Sequence, residues 1–232
     1  MSNPDSKAKS EEQRYLRQKD IFNPDELKEL EVSIVGVGAI GRQVALQLAS
    51  IGVGNIHIID FDTVEVVNLA PQCFFEKDLG LLKVDAVKAA CKLLNEDVKV
   101  QAVNAKWTKE KSILLNPYVF CCVDSMEVRK DLWDTCGNTR ASFIDTRMAS
   151  ESVRVLTMYN TESKKYYPTT LYHDNEAMEE ACTSKTTTFC SNIAAGLAIS
   201  ALSQVLRSVE FITYDYVFNL KTLELVRLKE AG

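Results

Sequence analysis

Histidine is almost missing from this chain: His57 and His173 are the only two in 232 residues. With so few histidines, a histidine-based hydrolase triad is not the expected reading. Cysteine occurs seven times, at 73, 91, 121, 122, 136, 182 and 190, without a single C-x-x-C pair. No four-ligand set at zinc spacing can therefore be assembled, and no zinc is expected. The odd count and the apolar surroundings of several cysteines give no disulfide framework, so a reducing, cytoplasmic setting is the default. A basic excess is also lacking, since 27 Lys and Arg against 32 Asp and Glu leave a net charge of −5. General nucleic-acid binding, which needs a dense basic surface, is excluded on that ground. The opening MSNPDSKAKSEEQ has no apolar core, so neither a secretion signal nor a transit peptide is expected. One long uncharged run does exist, from Thr186 to Leu206. Its threonines, its serines, Asn192 and Gln204 point to a buried core or dimer-interface helix, and no membrane span is expected.

What is present centres on the stretch from Val32 to Gln72. The apolar run VSIV reads as a buried strand that enters Gly36, Gly38 and Gly41, spaced G-x-G-x-x-G, at the start of a helix. Glycine permits the tight turn and the close approach of backbone to a pyrophosphate, whose charge meets the unpaired N–H groups of the helix start. A second strand, IHIID, ends at Asp60, where a carboxylate can accept hydrogen bonds from a ribose. Strand, turn, helix and strand make a nucleotide-binding βαβ unit, and on these residues alone a nicotinamide or flavin site competes with an ATP site. An apolar fraction of 46% supplies a sizeable core.

The residues beyond Asp60 narrow the choice. DFDTVEVVNLAPQ resembles the D-x-D-x-V-E-x-S-N-L-x-R-Q segment of the ThiF/MoeB family, the adenylating domain shared with ubiquitin-activating enzymes. RYLRQ, with Arg14, Tyr15, Arg17 and Gln18, resembles that family's R-Y-x-R-Q opening, and the likeness runs over residues 11 to 230. It implies ATP and Mg2+ as cofactors and a homodimer. The implied activity is adenylation of the C-terminal carboxylate of a ubiquitin-like or sulfur-carrier protein or peptide, with release of pyrophosphate. It also implies an α/β fold: a Rossmann-like mixed β-sheet with a parallel N-terminal half, antiparallel C-terminal strands and helices on both faces. Residues 1–10 are expected to be disordered and 11–232 to form one domain.

The same likeness assigns roles. Gly36, Gly38, Gly41, Asp60, Asp62, Asn68, Gln72 and Lys83 would hold the nucleotide, with Asp60 on the ribose and Lys83 on the phosphates. Asp124, at the end of the strand YVFCCVD, would hold magnesium. Arg17 would reach across the dimer to the neighbouring triphosphate. Cys182 lies where sulfur-transferring or conjugating relatives carry a cysteine; it would attack the acyl-adenylate to give a thioester, or else is an inert buried thiol. The chain departs from the pattern at Pro71, where the family has an arginine on the phosphates. Arg42 or Arg147 could take over that charge, or activity is reduced. Arg42 is otherwise an exposed helix residue, Arg129 a structural or subunit-contact residue, and Arg147 the partner of Asp145 or Glu151.

Helical spacing places Ile40, Val44, Ala45, Leu48 and Ala49 on one buried face, and Leu82, Ala86, Ala89, Ala90 and Leu93 on another. FITYDYVFNLKTLELVRL reads as a hairpin turning at Asn219 to Thr222. The chain stops at Ala231-Gly232 without the Gly-Gly tail of a carrier, so it is expected to be the activator. Two other classes remain open: a catalytically weak or inactive nucleotide-binding scaffold, and an NAD-dependent oxidoreductase.

Overall fold

The computed structural model describes residues 13–172, 187–210 and 212–230. Eight strands form one sheet in the order β3-β2-β1-β4-β5-β6-β7-β8. They are β1 (Glu31–Val35), β2 (Asn55–Asp60), β3 (Lys99–Asn104), β4 (Tyr118–Cys121), β5 (Ser142–Ala149), β6 (Ser152–Met158), β7 (Thr213–Asn219) and β8 (Glu224–Glu230). Strands β3, β2, β1, β4 and β5 pair in parallel, and β6, β7 and β8 continue the sheet antiparallel. The change from the expected parallel half to the antiparallel strands thus occurs between β5 and β6.

Seven α-helices lie wholly within the described residues: α1 (Pro24–Glu29), α2 (Ala39–Ile51), α3 (Val66–Gln72), α4 (Lys83–Leu94), α5 (Met126–Cys136), α6 (Thr161–Tyr166) and α7 (Thr188–Leu206). Alternation along the strands feeds two cores, as a sheet covered on both faces requires. On one face Val32, Ile34, Ile56, Ile58 and Phe120 meet α2, α4 and α7. On the other, Val35, Ile59, Val119 and Phe143 meet Trp133 of α5, with Tyr167 beside them.

Local sequence explains most boundaries. Asn23 caps α1, its Oδ1 accepting the Asp25 N–H at 3.1 Å, with Pro24 in the first turn. Helix α2 buries Ile40, Val44, Ala45, Leu48 and Ala49 as its spacing predicts, and it ends at Gly52 in the left-handed region at φ 105°. Helix α4 departs from expectation. Its buried residues include Val84, Ala86, Val87, Ala90 and Cys91, whereas Leu93 is 76% exposed and Ala89 is exposed too. Helix α7 is long and apolar enough to cross a membrane by composition. In the fold it packs on α2, β5 and β6 and buries Ala194, Ala195, Ala198 and Leu202. The β7–β8 hairpin turns where predicted, with Asn219 Oδ1 accepting the N–H groups of Lys221 and Thr222.

Candidate functional site

The order of strands reverses around β1, which has β2 on one side and β4 on the other. In an open parallel sheet this reversal leaves a crevice beyond the carboxyl ends of the strands. The glycine turn occupies its floor. Gly36 adopts φ 86°, and a β-carbon there would lie 2.7 Å from the Cys122 carbonyl oxygen. A β-carbon on Gly41 would fall 1.8 Å from the carbonyl oxygen of Gly36. At Gly38 the nearest atom would be Gln72 Oε1 at 3.7 Å, an ordinary contact. The outer glycines are thus required by the packing of the turn itself, while at the middle one a β-carbon would fit against the Gln72 amide.

That difference is measurable. Gly36→Ala should lose about 1–3 kcal/mol through backbone strain, and Gly41→Ala about 3 kcal/mol or more through its clash with main chain. Gly38→Ala should stay within about 0.5 kcal/mol of the parent. Urea unfolding midpoints of the three variants check the order.

Asp60 does more than end β2. Its Oδ2 accepts the Val37 N–H at 2.7 Å, and its Oδ1 accepts the Asp62 N–H at 2.9 Å. The carboxylate therefore ties the glycine turn to the loop after β2, and with about four lone-pair sites it retains acceptor capacity for a ribose. Asp62 in turn receives Lys83, whose Nζ donates to Oδ2 at 2.8 Å while the Lys83 N–H donates to the Asp62 carbonyl at 2.9 Å. The lysine side chain is 7% exposed and the aspartate 46%. Asn68 Oδ1 accepts the Glu65 N–H at 3.0 Å and so stabilises the first turn of α3. Gln72, at the other end of α3, leaves a buried Oε1 without a hydrogen-bond partner among the described residues, beside Gly38. A buried acceptor left this way calls for a ligand or a water.

Asp124 is exposed and lies in the loop after β4, which ends at Cys121 and not at Asp124 as its apolar run suggests. Strands β2 and β4 flank β1, so their tips lie about 10 Å apart at normal sheet spacing. No group of three or more His, Cys, Asp or Glu able to hold a metal occurs among the described residues. A single accessible carboxylate fits a hard cation that takes its remaining oxygens from phosphate and water, as Mg2+ does. The exposed Asp124 and the Gln72 oxygen over Gly38, which has no partner among the described residues, are groups that a magnesium nucleotide would use.

Other residues lie elsewhere. Arg17 is exposed and sits in the segment laid across the far ends of α2 and α4. There Gln18 Nε2 donates to the Ile51 carbonyl, Arg14 to that of Leu94, and Asn95 Nδ2 to the Tyr15 hydroxyl. Helix α2 separates this segment from the glycine turn by about 20 Å. A cavity of about 520 Å³, lined by Tyr15, Gly52, Asn95 and Val98 among others, opens at the same far end. Cys182 lies outside the described residues.

Of the expectations for arginines, the one for Arg42 needs correction and the one for Arg147 resolves to one of its alternatives. Arg42 is neither exposed nor turned to solvent beside the turn; it is 3% exposed, over the rings of Phe74 at 5.1 Å and Phe75 at 5.6 Å. Burial lowers its pKa, and nearby Cys73, Asp78 and Cys91 oppose that shift. The consecutive phenylalanines after Cys73 were the available signal for this placement. Arg147 donates to Asp145 Oδ2 at 2.8 Å and to the Thr170 carbonyl at 2.8 Å, so the Asp145 alternative holds. Both arginines named as substitutes for the one missing at Pro71 thus have structural partners.

Burial raises the thiol pKa of Cys91 and of Cys121 to about 12, and it also raises those of Cys122, Cys136 and Cys190. A raised pKa keeps the neutral, unreactive form at mildly alkaline pH. Iodoacetamide at pH 8 should leave these five unlabelled in the folded protein and label them after denaturation, as peptide mass mapping would read.

Molybdopterin-synthase adenylyltransferase of Haemophilus influenzae is 34% identical over 143 residues, covering 58% of this chain and 59% of that protein. Ubiquitin-like modifier-activating enzyme 5 of Bombyx mori is 28% identical over 147 residues, covering 57% of this chain and 37% of that protein. Among solved structures, E. coli MccB with AMPCPP and MccA superposes with a TM-score of 0.70 at 18% identity, covering 88% of this chain and 64% of MccB. The chain thus spans less than two thirds of each relative's length, and the MccB likeness carries the fold alone. The ThiF family matches residues 15–230, nearly the whole chain. This chain belongs to the ThiF family.

Proposed function

We propose that the chain adenylates the C-terminal carboxylate of a ubiquitin-like protein, a sulfur carrier or a peptide, at the expense of ATP and with release of pyrophosphate. The observation that carries this reading is the hydrogen-bonded chain from the glycine turn through Asp60 and Asp62 to Lys83 at the carboxyl ends of β1 and β2, with the Cys122–Val123 peptide that precedes Asp124 packed on Gly36. Named relatives that are adenylyltransferases support it, as does a solved MccB structure with ATP that shares the fold.

In this reading the backbone at Gly36, Gly38 and Gly41 and the first turn of α2 cradle the phosphates, Asp60 accepts from the ribose, and Gln72 and Asn68 line the rim. Lys83 places an ammonium against the phosphates, and Asp124 offers the metal ligand. Bound magnesium would offset charge on the phosphate oxygens. The chain itself contributes mainly positioning and fixed charge, so no general base is required.

Arg17 is too far along α2 to serve its own glycine turn, which supports a homodimer in which it serves the neighbour's site. Phe61, Val66, Val67, Phe75, Leu79 and Leu81, all exposed and close in sequence to the site, offer apolar surface for such a contact. Passage of the acyl group to Cys182 and a cytoplasmic location belong to the same proposal. Exchange of labelled pyrophosphate into ATP, stimulated by a carrier peptide, tests the activity. Titration in which NADH binds and ATP does not would overturn it. The second reading, a scaffold that binds nucleotide with little turnover, is favoured by Pro71 together with the structural engagement of Arg42 and Arg147; it predicts ATP binding without exchange.

A further inference from the structure

Arg129 and Asp145 form a buried pair that the proposed chemistry leaves without a task. Arg129 is 4% exposed and Asp145 fully buried, with Arg129 Nε 2.7 Å from Asp145 Oδ1. The other end of the guanidinium, Nη2, donates to the Val123 carbonyl at 2.6 Å. Asp145 Oδ2 is held in turn by Arg147 Nε and the Tyr167 hydroxyl, both at 2.8 Å. Burial pushes the Asp145 carboxyl upward, yet the two guanidiniums and the Tyr167 hydroxyl leave its pKa below the ordinary carboxylate value. The carboxylate is therefore a fixed negative post.

The peptide it anchors is placed where position matters. Val123 is followed directly by Asp124, and the Cys122–Val123 peptide presses on Gly36 closely enough to forbid a β-carbon there. Cys122 N–H donates to the Val35 carbonyl at 2.9 Å, holding one end of the loop. Ser125 Oγ accepts the Val128 N–H at 3.3 Å, holding the other as the cap of α5. Between these two points, Arg129 grips the carbonyl that precedes Asp124.

We infer that Arg129, braced by Asp145, is a positioning residue that sets the Asp124 carboxylate for the metal of a magnesium nucleotide. The inference rests on the proposed function and names a residue of the same site that touches neither nucleotide nor metal. Groups that orient a metal ligand commonly change metal affinity by about 10–100-fold when removed. An arginine suits the task because its planar fork reaches two acceptors in fixed geometry, which a lysine does not reproduce.

The test is calorimetric titration of the full chain with ATP in EDTA and again with Mg2+, reading the gain in affinity that magnesium confers. Arg129→Met leaves Asp145 still paired with Arg147 and Tyr167, which favours folding. It should cut the magnesium gain about tenfold while changing affinity in EDTA less than about threefold. Should that variant fail to fold, Arg129→Lys, which keeps the charge and loses the fork, should cut the gain severalfold. Arg154→Lys is the matched control: Arg154 grips a second fully buried aspartate, Asp215, at 2.7 Å and away from the β4 loop. It should retain the gain. Retention of the gain by the Arg129 variant, or its equal loss by Arg154→Lys, would overturn the inference alone. A parent protein whose ATP affinity ignores magnesium would overturn both this inference and its premise.

Discussion

Lys83→Ala is expected to lower carrier-stimulated pyrophosphate exchange by about 10²–10³-fold, the usual cost of removing one preorganised charge or donor from a transition state. Lys83 is the first residue of α4, so its ammonium and the positive end of the helix act together on any anion placed there. The side chain is 7% exposed and faces a carboxylate that is 46% exposed, so the pair stands at the boundary between protein and solvent. An incoming phosphate can therefore share the ammonium with Asp62 while Asp62 keeps access to water. For the same reason Lys83→Ala should fold: the aspartate left behind is solvated, and a partly exposed pair contributes only about 0–1 kcal/mol. The informative result is lost exchange with an unchanged urea midpoint. A variant that exchanges at the parent rate would remove Lys83 from the site. Lys83→Arg should rescue poorly, because a bulky planar fork does not fit where a compact ammonium is enclosed.

The sequence made the strand tips readable and left their connections hidden. Apolar runs ending in Gly36, Asp60 and Asp124 announce strands that stop at a common edge, because a buried parallel strand is a short continuous apolar stretch whatever it later contacts. Glycine spacing likewise identified the turn. What stayed hidden depends on pairing across distance. Asp145 meets Arg129 and Tyr167 only when α5, β5 and the turn at Tyr167–Thr170 come together. Nothing local distinguishes an aspartate that will be fully buried from one that will face water. The face of α4 shows a subtler limit. Apolar spacing allowed a stripe through Leu82, Ala86 and Leu93, yet Lys83 is fixed by both backbone and side chain to Asp62, and that double anchor sets the rotation of the helix. Val84, Val87 and Cys91 then meet the core, and Leu93 is turned outward. Arg42 was misplaced for a related reason: a charged residue next to a phosphate-type turn is read as exposed unless the aromatic rings that cover it are counted.

Arg17→Ala is expected to lower exchange by about 10³-fold or more, in the range found when an arginine delivered to a phosphoryl site is removed. The more searching result comes from mixing. The segment around Arg17 is fastened at the far ends of α2 and α4, through Gln18 to Ile51 and Asn95 to Tyr15. Its side chain cannot cover the length of α2, about 20 Å for 13 residues at helical rise. If Arg17 acts on phosphate, it acts on a second copy. Arg17→Ala and Lys83→Ala chains, each nearly inactive alone, should then complement when unfolded together and refolded. In a two-fold dimer that pairs at random, half of the assemblies contain one of each chain, and each of these has one intact site and one doubly defective site. Activity should return to about one quarter of the parent value. Failure to complement, with dimers verified by light scattering, would place Arg17 outside the reaction or within its own subunit's site. The first alternative leaves the glycine turn, Lys83 and Asp124 untouched as a nucleotide site; the second requires the segment before Pro24 to leave its place against Gly52 and cross the whole sheet.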